Sequence, residues 1–233
     1  MFSSKRSRVI VATVAAIAVA GGSYGIVTAT SSSASVTPAA SSSPAGGSGT
    51  GGGSNARSGP AAGGTAGTVS SVSSSGFTLS TAGGQKVTVK EASTTTYEKG
   101  TSPASASAVT TGEPVLVLGT TDSTTITATE VIAQPPSTSA SNPGGQVVPF
   151  SRGGQRPTTQ AGQIPSDYSQ GQGTIVSGTT AGKATEAALA AYPGGVVDRV
   201  VAIGNGDYEV HYIGVNWPHH IFVNQDFQVV GAD

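Results

Sequence analysis

The chain contains no cysteine, which excludes disulfides, thiolate metal ligands, a cysteine nucleophile and a lipidated cysteine. Charge is nearly as scarce: Asp, Glu, Lys and Arg make up 10% of the 233 residues, and aromatic residues only 5%. A nucleic-acid surface needs clustered cations interleaved with aromatic platforms, and neither foldable segment offers one. Histidine occurs three times and tryptophan once, so the chemistry available to side chains is narrow. Glycine is abundant instead, with 34 copies among long stretches of serine, threonine, alanine and proline. The part able to bury a core is therefore smaller than the length suggests.

The order of these residues implies export. Lys5, Arg6 and Arg8 precede an uncharged, mostly apolar run from Val9 to Ala29, about the length of a bilayer-spanning helix. Cations before such a run keep the N-terminus in the cytoplasm and send the rest outside. Residues 1–30 are accordingly a transmembrane anchor or a signal peptide, since Ala18-Val19-Ala20 and Val27-Thr28-Ala29 both carry small residues suited to signal cleavage. The expected location is the cell membrane, single-pass with the C-terminal domains extracytoplasmic, or the exterior after cleavage. Residues 31–63 have a composition that cannot offset chain entropy and are expected to be a disordered linker. The same holds for 135–171, whose one apolar knot is Val147-Val148-Pro149-Phe150.

Between the linkers, residues 64–134 alternate in short runs: Thr68–Val72, Phe77–Ser80, Lys86–Lys90, Val115–Leu118 and Thr125–Ile132. Turn signals at Ser75-Gly76, Ala82-Gly83-Gly84 and Thr111-Gly112-Glu113-Pro114 separate them. Five closely spaced strands predict a small, closed or nearly closed barrel. Residues 172–233 start instead with a helix, in which Ala184, Ala188 and Tyr192 recur on one face, with Thr180 as its N-cap and Pro193 as its end. Strand patterns follow at Val196–Ile203 and Tyr208–Ile213. Asn205-Gly206 between them predicts a two-residue turn that sets Ile203 against Tyr208 and Val201 against Val210; a three-residue loop would set Val201 against Glu209. A last hairpin is expected from Ile221-Phe222-Val223 and Phe227–Val230 around Asn224-Gln225-Asp226.

The C-terminal run Ala184–Gly195, with Val197–Val201, Tyr208–His211 and Val223–Val229, resembles the PepSY domain, a helix-and-sheet module of exported bacterial proteins and protease propeptides. Gly67-Thr68-Val69, Gly76–Leu79, Val87-Thr88-Val89, Thr95-Thr96-Tyr97, Gly112–Val117 and Ala128–Val131 resemble an exported bacterial domain with an OB-like barrel. The expected fold class is therefore mainly β with α+β: an N-terminal membrane or signal helix, a small OB-like β-barrel, then a PepSY-like helix-plus-antiparallel-sheet domain, joined by long disordered linkers. Phe77 and Tyr97 are the only aromatic residues of the barrel segment and are expected in its core.

Two motif matches carry no chemistry. Gly21-Gly22-Ser23-Tyr24-Gly25 fits a nucleophile elbow but lies in the apolar N-terminal run, and Gly47-Ser48-Gly49-Thr50-Gly51-Gly52 fits a dinucleotide fingerprint without the strand and helix that would aim its amides. The histidines are the remaining candidates. On a regular strand His219 and His220 point to opposite faces; if Trp217-Pro218 makes a turn, both converge with His211 on one site suited to zinc or copper. The preferred reading leaves His211 exposed beside Glu209 and His219-His220 in a polar loop. Asp198, Asp207, Glu209 and Asp226 are expected as solvated carboxylates at turns or outward positions. Trp217 either plugs the sheet edge or anchors a partner.

These observations predict a non-catalytic envelope protein with no cofactor and no nucleic-acid partner. It meets the membrane through Val9–Ala29, and the resemblance implies that its PepSY-like domain binds a protein partner such as a secreted peptidase. A cell-wall glycan held by the barrel, or a metal held by His211, His219 and His220, are the alternatives.

Overall fold

The computed structural model describes residues 59–136, 143 and 145–233. The expected anchor or signal segment and nearly all of the first linker lie outside the described residues. In chain order the elements are β1 (Ala61–Ser73), β2 (Gly76–Ser80), β3 (Lys86–Lys99), β4 (Ser102–Pro103), β5 (Pro114–Asp122), β6 (Thr125–Ala133), β7 (Val148–Pro149), β8 (Ala161–Gly162) and β9 (Thr174–Ile175). Then come α1 (Gly178–Ala191), β10 (Val196–Ala202), β11 (Tyr208–Ile213), β12 (Val215–Trp217), β13 (His220–Val223) and β14 (Val229–Ala232). The protein is mainly β, with one α-helix among the described residues.

The five strands expected in the first segment form. β1 pairs β2, β2 pairs β3, β3 runs parallel to β6, β6 pairs β5 and β5 pairs β1, so each has a neighbour on both edges over part of its length. Period-two alternation, with a register slip at Thr129 of β6, turns Val69, Phe77, Leu79, Val87, Val89, Val115, Val117, Ile126 and Val131 into one common core. Phe77 is buried there and Tyr97 packs against it. Leu116 and Leu118, the alternate residues of β5, face outward and are buried by the second cluster around α1. A strand covered on both faces explains why Val115–Leu118 reads as an unbroken apolar run.

The second segment does not stand apart from the first. Gly64 and Thr65 of β1 pair Leu118 and Val117 of β5 on one edge, and Val197 and Val196 of β10 on the other. β1 thereby belongs to both halves, and the sheet continues through β10, β11, β13, β14 and β8. Only glycine fits at this crossing: a Cβ on Gly63 would lie 2.1 Å from the Val197 carbonyl oxygen, and one on Gly64 2.2 Å from that of Val117.

α1 starts at Gly178, with Ser177 at the N-cap position and not Thr180. Its apolar face, Ala181, Ala184, Ala188, Leu189 and Tyr192, lies on Val197, Val200, Val210, Tyr212, Ile221 and Val223. The small alanines allow close approach, and the buried Tyr212 hydroxyl donates to the Tyr192 carbonyl at 3.0 Å. Burial raises the Tyr192 phenol to about 12 and lifts that of Tyr212 well above its ordinary value of 10. The folded state holds these protons more tightly than the unfolded chain does. Their contribution to stability is therefore complete below pH 10 and is lost as pH rises through about 12. Urea midpoints should fall across that window, and Tyr212→Phe should make the fall shallower; an identical slope in the variant would contradict the assignment.

The β10–β11 hairpin corrects the expected register. Val201 faces Glu209 and Ala202 faces Tyr208, the three-residue loop arrangement. Gly206 takes φ +88° and donates its N–H to Ile203, while Ile203 donates to Asp207. A turn that ends on a left-handed glycine needs the third loop residue, Gly204. The last hairpin forms, but its second strand starts at Val229 and not Phe227: Asn224 donates to Gln228, and Phe227 sits in the turn at φ +57°.

Two short stretches of the expected second linker pair with C-terminal strands. β7 pairs β12, β8 pairs β14, and Ala161 is buried. These stretches cannot bury themselves, but they can complete edges that other elements leave open.

Candidate metal centre

The site lies on the sheet face opposite α1. Val210 and Tyr212 of β11 take the helix side, so alternation sends Glu209 and His211 to the other. Both are buried, at 2% exposure each. This corrects the expectation that His211 and Glu209 are solvated, because the 145–172 stretch helps to cover that face.

Two irregularities gather the rest. In β10 the register slips between Val197 and Arg199, leaving Asp198 as an extra residue opposite the Tyr212–His211 step. In the approach to β13, the N–H groups of His219 and His220 both donate to the Asp233 main-chain oxygen, at 2.7 and 2.9 Å. Two residues facing one is a β-bulge, which re-aims side chains that a regular strand would alternate. His219 and His220 therefore turn toward His211 together, the converging arrangement and not the polar loop. Their ring centroids lie 4.3 Å (His211–His219), 4.8 Å (His219–His220) and 5.2 Å (His211–His220) apart. One ligand nitrogen from each falls within 4.8 Å of the others.

Two of the imidazoles are oriented by carboxylates. His211 Nδ1 lies 2.5 Å from Asp198 Oδ1, and His220 Nδ1 lies 2.6 Å from Glu209 Oε1. With Nδ1–H donated to the carboxylate, each ring presents Nε2 as a lone pair. His211 Nε2 is buried and has no hydrogen-bond partner, an arrangement that ordinarily costs about 1–3 kcal/mol. Asp198 is itself held by Arg199 Nη1 at 3.0 Å from its second oxygen. His219 is half-buried; desolvation, then the neighbouring His211, His220, Arg156 and Arg199, lower its pKa to about 3. It is thus neutral at physiological pH, the form that can ligate.

Tyr168 covers the cluster from outside. Its ring lies 5.7 Å from His220 and 4.7 Å from Phe222, and its hydroxyl is buried without a partner. Burial, followed by Glu209 and Asp233, pushes that phenol well above its usual range. Arg156 reaches the same edge, with Nη2 at 3.2 Å from Asp233 Oδ2.

Of the other candidates, Asp226 sits exposed in the β13–β14 turn, and Asp207 accepts from Asn205 Nδ2 at 2.7 Å in the β10–β11 turn. Neither joins the cluster. Trp217 is 1% exposed, donates Nε1–H to the Thr159 carbonyl and meets Tyr192 edge-on at 5.7 Å. It is a plug inside the molecule and not an exposed anchor. Tyr168 was not legible as a site residue. Arg199 had one readable trace, the Asp198-Arg199 pair interrupting an otherwise apolar strand.

A large cleft lies elsewhere, between β1, β5, β6 and α1, lined by Thr96, Leu118, Glu130, Ile175, Lys183 and Glu186 among others. Burial, then Glu98 and Glu186, raise the pKa of Glu130. The cleft shares no residue with the histidines and gathers no comparable ligand set. Comparison of the chain with family models, curated proteins and solved structures finds no match.

Proposed function

We propose that this chain is a non-catalytic metal-binding protein of the bacterial envelope, holding zinc or copper through His211, His219 and His220. The observation that carries the reading is the buried His211 Nε2, a lone pair without a hydrogen-bond partner in a cluster where two rings already have their Nδ1 atoms turned onto carboxylates. A carboxylate behind each ligating imidazole is the usual support of a metal centre. Bonds of about 2.0–2.1 Å in a tetrahedral site place ligand nitrogens about 3.3 Å apart, so the three close by at most about 1.5 Å. Nitrogen-only donors suit Zn(II) and Cu(II).

The envelope location rests on the Lys5, Arg6 and Arg8 cluster before Val9–Ala29. The OB-like reading of the first half is supported by its five mutually flanking strands with one parallel pair, and the PepSY-like reading of the second by a helix laid across antiparallel strands. No set of residues comparable with the imidazoles supports a peptidase or glycan partner.

Chelator-stripped full-length protein should take up one equivalent of Zn(II) or Cu(II), measured by elemental analysis after gel filtration. Uptake of less than a tenth of an equivalent of either metal, with the fold intact by circular dichroism, would sink the proposal.

A further inference from the structure

Resting on that metal-centre reading, we infer that the fourth coordination position is open and takes one small monodentate ligand from outside the chain. Among the described residues, no fourth histidine or carboxylate joins the three imidazoles within ligand distance. The nearby carboxylates are turned away: Asp198 bridges His211 and Arg199, and Glu209 holds His220. Metal centres with three protein ligands keep a position for an exogenous one, whereas closed structural sites use four.

The approach to that position is on the His219 side. His211 and His220 are 2% and 1% exposed, while His219 is half-buried. Around the position stand Arg199, Asp198, Glu209 and the Asp233 main-chain oxygen that accepts from the His219 and His220 N–H groups. Asp198 and Glu209 are engaged by the rings behind which they sit, so the position takes a small donor from outside the chain, for which an anion such as azide is the probe. The chemistry is ligand exchange: the anion donates a lone pair to the metal and a bound water leaves, with no change of oxidation state.

The competing donor is Tyr168, whose buried hydroxyl has no partner. Both possibilities are read in one experiment on full-length protein loaded with Co(II), whose d–d absorption reports coordination number, titrated with azide and then thiocyanate. The expected result is a saturable shift of the bands complete at one anion per metal, with the same response in Tyr168→Phe. Bands that appear with Co(II) and ignore both anions overturn the inference alone, leaving the metal centre standing. An anion response seen only in Tyr168→Phe also overturns it, since the phenolate then fills the position. If Co(II) produces no d–d bands at all, the metal-centre reading fails and the inference with it.

Discussion

Full-length protein carrying His211→Gln should bind Zn(II) at least about 100-fold more weakly than the unchanged chain, and Asp198→Asn about 10–100-fold more weakly. Competition against a chromophoric chelator measures both. The two substitutions act at different depths. His211→Gln removes the buried nitrogen that faces the other rings. Asp198→Asn leaves that nitrogen in place but replaces the anion that fixes its tautomer and orientation. The graded pair separates a metal role from a packing role. If the histidines served only to fill the sheet face, both variants would change urea stability and neither would change metal uptake. Equal affinities in all three proteins would remove His211 from the ligand set. Because Asp198 also holds Arg199, circular dichroism of Asp198→Asn must accompany its affinity.

The second large effect concerns the fold. Gly64→Ala should destabilise the protein by about 3–5 kcal/mol or prevent folding, because its Cβ meets backbone that cannot step aside. That Cβ would lie 2.2 Å from the Val117 carbonyl oxygen and 3.2 Å from both the Leu118 and the Thr185 side chains. Relieving the clash means parting β1 from β5 where β10 also holds β1. Gly182→Ala is the control. Its Cβ would find only Leu118 Cδ1, at 3.7 Å, and replacing a helical glycine should add about 0.5–1 kcal/mol of stability. Urea unfolding followed by Trp217 emission and by circular dichroism reads both. Since β1 serves both halves, the two signals should change together. A Gly64→Ala protein as stable as the parent would show that the crossing tolerates a side chain.

How far these features were legible depends on where their causes lie. Lys86-Val87-Thr88-Val89-Lys90 declares its own strand, because the alternation is local and one face is solvated. The Ala184, Ala188 and Tyr192 spacing likewise declares a helix face. The β10–β11 register was not legible, since residues 209–212 are buried on both faces and apolar matching then favours neither loop length. The convergence of His219 and His220 depends on a bulge opposite Asp233, and no local pattern announces a bulge formed against a strand end. The pairings of Val148–Pro149 and Ala161–Gly162 depend on edges elsewhere, which composition cannot see. Gly63 reads as the end of a linker and Gly64 as the start of the barrel segment, yet there β1 passes β5 and β10 too closely to admit a side chain.

The strand shared by the two halves also limits what can be cut out of this protein. A fragment of residues 172–233 would leave Val196 and Val197 without β1, baring a row of amide and carbonyl groups along an apolar strand. Such a row recruits further copies, so the excised piece should polymerise at its open side, and binding assays made with it would report self-association in place of the ligand.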